Sequence, residues 1–164
     1  MKLAIGAIFR DEFEYIVEWL AWHEMAGFST FYIADNGSTD GTRELLEALS
    51  DLGKIHILYQ PIVEKQAQIR AYNRIAQLTI DQADAVLFID ADEFLTHDSM
   101  EEGAEYNCLK KILEDDEVGM VGINWRCFGS SSLEKQDARP VVERFQHCAS
   151  DLNQNPNQFL KSII

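Results

Sequence analysis

The chain has 164 residues, of which 46% are hydrophobic and 26% charged, and its 14 Lys and Arg face 28 Asp and Glu for a formal charge of −14. That length suits one domain burying about 70% of the surface its unfolded form exposes, and the composition is globular, without repeats or linkers. The acidic balance argues against a nucleic-acid partner, because affinity for phosphate backbones comes from clustered Lys and Arg.

No apolar segment approaches the roughly 20 residues of a membrane helix, so no membrane span is expected. The N-terminus MKLAIGAIF lacks the long apolar region and cleavage site of a secretory signal, which points to a cytoplasmic chain, peripheral at a membrane at most. Cys108, Cys127 and Cys148 form no C-x-x-C pair, so buried free thiols are expected rather than a disulfide framework or a zinc knuckle.

Along the chain, KLAIGAIF reads as a buried strand ending at Arg10, after which the apolar period turns helical. Phe13, Ile16, Val17, Leu20 and Ala21 supply that helix's stripe, Asp11 with Glu14 resembles a capping box, and Gly27 suits its stop. Thr30 to Ala34 is a second strand, and DNGSTDG is a turn whose Asp40 is placed to cap a helix striped by Leu45, Leu46, Leu49 and Leu52. Gly53 ends that helix, KIHILY is a third strand, and Lys65 to Ile80 is a third helix with Ile69, Tyr72, Ile75, Ala76 and Thr79 inward. AVLFIDADEFL carries the fourth strand. An acidic stretch, a helix through Leu109, Ile112 and Leu113, a strand VGMVGINWRCF, the loops GSSSLEKQDARP and NQNPNQ, a short element VVERFQHC and a final run FLKSII follow. An end on Ile163 and Ile164 is expected of a fold that continues beyond it.

Three successive strand-helix units with unbroken apolar strands predict an α/β fold, an open, mostly parallel sheet with helices on both faces. Ligands of such sheets bind outside the carboxyl ends of the strands, where Arg10-Asp11-Glu12, Asp35-Asn36 and Asp90-Ala91-Asp92-Glu93 converge. Carboxylates at i and i+2 after a buried strand offer hard oxygens to Mg2+ or Mn2+, and their mutual repulsion calls for a cation, a proton or a basic partner. The competing reading is structural, with Asp90 capping the next turn and Asp92 and Glu93 solvated. An EF-hand fails, because Phe94 and Leu95 stand where a ligand and the required Gly belong. Neither a dinucleotide fingerprint, a P-loop nor a G-x-S-x-G nucleophile is present.

RDEFEYIVEWLAWHEMAGFSTFYIADNGSTDGT, QIRAYNRIA and VLFIDADEFL, in that order and spacing, resemble nucleotide-sugar glycosyltransferases of the GT-A fold, the family-2-like group related to family 92. Asp11 stands where those proteins usually have Asn. The resemblance implies a single domain over residues 1–164, with 1–95 binding the nucleotide-sugar and 96–164 forming part of an acceptor-binding half. It implies that Asp35 bonds the base or ribose, that Glu12 lies near the ribose and that Gln66 reaches the base edge. Asp90 of the D-x-D motif would contact the ribose or the metal and its waters, Asp92 would ligate Mn2+ or Mg2+ on the diphosphate, and Glu93 would support the turn. Arg70 and Asn73 rank below these acids. Relatives of this type mostly invert at the anomeric carbon, which requires a carboxylate base. Glu143 is favoured over Asp137 and Glu134 by its place after the acceptor loop, with an ion pair to Arg144 or Arg139 as the competing role.

Trp125 and Phe128 offer faces for an acceptor sugar, or pack in the core. His97 and His147 are weaker metal candidates than loop residues, and Trp22 and His23 read as structural. The function expected is transfer of a sugar from a nucleotide donor, UDP-linked by preference, to a glycan or lipid-linked acceptor in polysaccharide biosynthesis. Two alternatives are a catalytically silent nucleotide-sugar or metal-binding module and a nucleotidyltransferase, the latter disfavoured by the missing Gly-rich first loop.

Overall fold

A computed structural model describes residues 1–61, 66–99, 101–131, 138–148, 157 and 159–164. Asp137 and Glu134 lie outside them. The elements in chain order are β1 (Leu3–Phe9), α1 (Ile16–Met25), β2 (Phe31–Asp35), α2 (Thr42–Asp51), β3 (His56–Tyr59), α3 (Ala67–Thr79), β4 (Ala85–Phe88), α4 (Ala104–Leu113), β5 (Val121–Asn124), α5 (Val141–Arg144) and β6 (Leu160–Ile163). The strand order is β3-β2-β1-β4-β6-β5. β1 pairs in parallel with both β2 and β4, β2 pairs in parallel with β3, and β4 meets β6 antiparallel at Leu87 and Ile163. The expected open, mostly parallel α/β sheet is therefore present.

The chain divides into two compact units, Met1–Val121 with Ile163–Ile164, and Gly122–Ser162. In the first unit both faces of β1, β2 and β4 are covered, which is why those strands carry unbroken apolar runs, whereas the edge strand β3 exposes His56 and Tyr59. On one face Ala71 and Ile75 of α3 pack with Ala4, Tyr32, Ala34, Leu58, Val86 and Phe88. On the other, Trp19 of α1 meets Phe9 edge-on at 5.2 Å and Phe31 at 6.1 Å between ring centroids. In the second unit the Trp125 N–H donates to the Phe159 carbonyl (3.0 Å), the Cys127 N–H donates to Oδ1 of buried Asn157 (2.8 Å), and Phe128 bridges Cys148.

Several expectations need correction. The buried face of α1 holds Ile16, Trp19, Leu20 and His23. Phe13, Val17 and Ala21 are exposed instead, because the indole and imidazole nitrogens find hydrogen-bond partners inside and can replace aliphatic groups there. No capping box forms from Asp11 and Glu14, since α1 starts at Ile16 with Tyr15 as its cap. Gly27 does stop the helix at φ +100°, letting the Phe28 N–H reach back to the His23 carbonyl at 3.0 Å. Leu52 and Ile69 are exposed, so the stripes of α2 and α3 are narrower than their Leu and Ile spacing implies. The fifth strand is four residues long, Cys108 and Cys127 are half-buried, and Cys148 is exposed, so the cysteines are free without all being buried.

Gly6 is required by close packing on the α3 face. A Cβ there would stand 2.7 Å from Phe88 Cε1 and 3.1 Å from Ile75 Cγ2, both in a packed core. Gly6→Ala is expected to lower stability by about 1–3 kcal/mol, the usual cost of overpacking, read as an earlier urea midpoint with an unchanged slope. An unchanged midpoint would show that Phe88 yields without cost.

Candidate functional site

Because β2, β1 and β4 lie side by side and run the same way, their carboxyl ends form one rim, with Phe9 opposite Asp35 and Gly6 opposite Phe88 in register. Two loops there, residues 10–15 and 36–41, are knitted together by short polar side chains. The Asp11 N–H donates to Ser38 Oγ (3.0 Å), the Thr39 N–H to Asp11 Oδ1 (2.7 Å) and the Glu12 N–H to Thr42 Oγ1 (2.8 Å). Asp40 accepts from the Phe13 N–H (3.1 Å) and the Thr42 N–H (3.0 Å), joining the first loop to the start of α2, although the N-cap itself is Gly41 rather than the expected Asp40.

Asp35 is fully buried at the end of β2. Its Oδ1 accepts from the Ser38 N–H at 3.0 Å, while Oδ2 has no hydrogen-bond partner among the described residues. A buried carboxylate oxygen without a donor is costly, and this one stands at a strand end on the rim. Gln60, which follows β3 and whose N–H donates to the Asp35 carbonyl (2.8 Å), has a second buried, unpartnered oxygen in Oε1. Arg43 stacks 4.2 Å above the ring of Tyr59, the register partner of Asp35, and pairs with Glu47 at 2.9 Å.

The acidic turn after β4 is clamped by α1. Trp19 Nε1–H donates to the Asp90 carbonyl (3.1 Å), and Trp22 Nε1–H donates to the Leu95 carbonyl (2.7 Å). The Leu95 N–H is a donor only, so His23 Nε2 must accept it (3.3 Å), which places the ring proton on Nδ1 for the Trp19 carbonyl (2.8 Å). Inside the turn the Asp90 N–H donates to Glu93 Oε2 (2.9 Å), the supporting role expected of Glu93. From the sheet's other face α3 reaches Asp90 Oδ1, through Gln68 Nε2 at 2.7 Å and the Tyr72 hydroxyl at 3.0 Å. Burial and then the Asp90 charge push the Tyr72 hydroxyl well above its ordinary pKa, so it remains a donor.

Asp92 is exposed and makes no hydrogen bond or ion pair among the described residues. Glu12 is half-buried, and its carboxyl is raised above the usual range first by burial and then by the charges of Asp92, Asp40 and Asp11. Glu12 thus feels the negative charge of three neighbouring carboxylates at this rim. Among the described residues no group of three or more His, Cys, Asp or Glu could hold a metal ion. A hard cation taking most of its oxygens from phosphates and water needs only one or two carboxylates, and Asp92 fits that donor set.

The remaining candidates are placed differently. Gln66 is exposed at the cap of α3 with φ +84° and makes no capping hydrogen bond, whereas Gln68, two residues on, is the one bonded to Asp90. Glu143 is exposed on α5 in the second unit, and its carboxylate forms no ion pair with Arg139 or Arg144 among the described residues. Trp125 is half-buried, edge-on to Phe159 at 5.5 Å with Lys161 Nζ 5.4 Å from its ring, while Phe128 is half-exposed. His97 Nδ1 accepts from the Ser99 N–H (3.0 Å), a loop role, and His147 is exposed.

Residues 27–160 match the description of glycosyl transferase family 2. The chain belongs to that family. Two glycosyltransferase family 92 proteins are similar to it, one from Arabidopsis thaliana, 26% identical over 149 residues, and one from Oryza sativa subsp. japonica, 26% identical over 94 residues. These alignments cover 86% and 57% of this family 2 chain but only 25% and 16% of the relatives, so the chain spans a quarter or less of their length. Residues 1–349 of S. aureus TarS share the fold with a TM-score of 0.57 at 17% identity, over 82% of this chain and 40% of that one. Structures of the same TarS segment with UDP and with UDP-GlcNAc each match with a TM-score of 0.54 at 15% identity, over 82% of this chain and 40% and 39% of theirs.

Burial lowers the His23 pKa from the ordinary 6.5 to about 4, against the opposing hydrogen bond to Trp19. The unfolded chain therefore takes up the proton first, and stability present above about pH 6.5 is lost as pH falls toward about 4. Relative to His23→Gln, in which the carboxylates cancel, the native chain is expected to lose about 3 kcal/mol of its advantage across that window. Urea unfolding at several pH values reads it, and a constant difference would contradict it.

Proposed function

We propose that this chain forms the donor-binding part of a divalent-metal-dependent glycosyltransferase, moving a sugar from a nucleotide-diphosphate donor, a uridine one by preference, to a glycan or lipid-linked acceptor with inversion. The observation that carries the reading is the buried, unpartnered Oδ2 of Asp35 at the strand-end rim. One free acceptor oxygen, its neighbour already occupied by the Ser38 N–H, suits a base with a single ring N–H, as uracil has at N3. Guanine offers two adjacent donors for a carboxylate with both oxygens open, while cytosine and adenine present ring acceptors. The fold likeness to TarS, solved with UDP and UDP-GlcNAc, supports the same choice.

An acidic rim holds a diphosphate only if a cation offsets the repulsion, and Asp92, exposed and without a partner among the described residues, is the residue that would hold it. A divalent ion bound there would stabilise charge developing on the leaving diphosphate oxygen. Asp90 and Glu12 flank the ribose side, and Gln66 at the start of α3 remains within the proposed base-binding set. Glu143 is the proposed base that takes the acceptor hydroxyl proton during in-line attack, with Trp125 and Phe128 offering faces to the acceptor sugar.

Calorimetric titration with UDP is expected to show binding that requires Mn2+ and is lost in Asp92→Ala. Asp35→Asn is expected to weaken UDP by about ten- to a hundredfold, as for a lost hydrogen bond to a charged group, and to erase the preference over CDP. Binding of UDP with equal strength by both variants would defeat the reading. Glu143→Gln is expected to abolish UDP release from a donor sugar while leaving UDP affinity within a few fold. Retained turnover would remove Glu143 from its role, and UDP binding without any turnover would favour a silent binding module.

A further inference from the structure

Resting on that reading of the rim, we infer that Tyr72 and Gln68 of α3 are positioning residues that lock the Asp90 carboxylate before any donor arrives. Three short contacts carry this: Gln68 Nε2 to Asp90 Oδ1 at 2.7 Å, the Tyr72 hydroxyl to the same oxygen at 3.0 Å, and Gln68 Nε2 to the Tyr72 hydroxyl at 3.0 Å. The hydrogens can be assigned without ambiguity. A carboxylate only accepts, so the hydrogen of the Tyr72 hydroxyl points to Asp90, and that hydroxyl must accept one of the two amide hydrogens of Gln68. The other amide hydrogen goes to Asp90, which requires the nitrogen of Gln68, not its oxygen, to face the turn. Asp90 Oδ1 then accepts both hydrogens.

The lock is anchored. The Tyr72 ring lies 4.5 Å from Phe88, the last residue of β4, and is half-buried. Asp90 is held at its backbone too, its carbonyl by Trp19 and its N–H by Glu93. Side chain and main chain of Asp90 are therefore fixed from opposite faces of the sheet, while Asp92, two residues on, has no partner among the described residues. A cation reaching Asp90 Oδ1 would have to displace two charge-assisted bonds, whereas one reaching Asp92 displaces none from the described residues. The two aspartates of the motif are thus inequivalent because of α3: Asp90 is a fixed acceptor that spares the site an ordering cost on binding, and Asp92 is the residue open to metal.

The test is calorimetric titration of the full chain with UDP in excess Mn2+, comparing the native chain, Tyr72→Phe, Gln68→Met, Asp90→Asn and the double variant Tyr72→Phe with Asp90→Asn. Tyr72→Phe keeps the ring on Phe88 and removes only the hydroxyl. It and Gln68→Met are each expected to weaken UDP by about tenfold, the value of one charge-assisted hydrogen bond. In the Asp90→Asn background, Tyr72→Phe is expected to change the affinity by less than twofold, since the carboxylate it positions is gone. A merely structural role would instead lower the unfolding temperature and leave UDP affinity alone, or give equal losses in both backgrounds, and either result overturns the inference while native binding stands. Failure of the native chain to bind UDP with Mn2+ would overturn the reading of the rim and this inference with it.

Discussion

The acidic turn after β4 can keep one shape because three side chains of α1 hold its backbone at both ends. Trp19 takes the carbonyl of Asp90, Trp22 takes the carbonyl of Leu95, and His23 takes the Leu95 N–H. Carboxylates at Asp90, Asp92 and Glu93 repel one another, and without outside restraint such a turn would spread its charges into solvent. Pinning the main chain with neutral donors and acceptors restrains the turn and leaves Asp92 without a partner among the described residues. The cost is a buried imidazole that must stay neutral, which links the shape of the turn to pH.

The rim contains two kinds of uncompensated oxygen, and they differ in accessibility. Asp35 Oδ2 is buried, and on the proposed reading it takes a single, directed hydrogen-bond donor from a base edge. Asp92 is open to solvent, and on the same reading it takes a hydrated cation beneath a diphosphate. β1 lies between the strands that carry them, pairing with β2 on one side and β4 on the other. On the proposed reading, a chain with a formal charge of −14 accepts an anionic donor by treating the base and the phosphates as separate electrostatic problems.

The strands and their order of burial were legible, because a sheet covered on both faces writes itself as unbroken apolar runs. The rim acids were legible for the same reason: each follows directly on such a run. Less visible was the support around them. Phe13 and Val17 look more hydrophobic than Trp19 and His23, yet the latter pair faces inward because their nitrogens meet the turn's backbone, a long-range partner that helical periodicity does not encode. Gln66 and Gln68 likewise differ only by position on α3, and the helix's start at Ala67 determines which of them faces Asp90. Trp19, Trp22 and His23 could have been suspected from one signal: polar-edged aromatics at i, i+3 and i+4 on a helix beside an acidic turn.

Hydrogen exchange at the Leu95 amide in the ligand-free chain tests most directly whether the turn is preformed. If His23 Nε2 accepts that N–H as described, the Leu95 amide exchanges orders of magnitude more slowly than in an unstructured peptide at neutral pH, and its protection fails in His23→Ala. Exchange at the unstructured rate in the native chain, with the β1 amides still protected, would mean that the acidic turn has no fixed shape before a ligand binds.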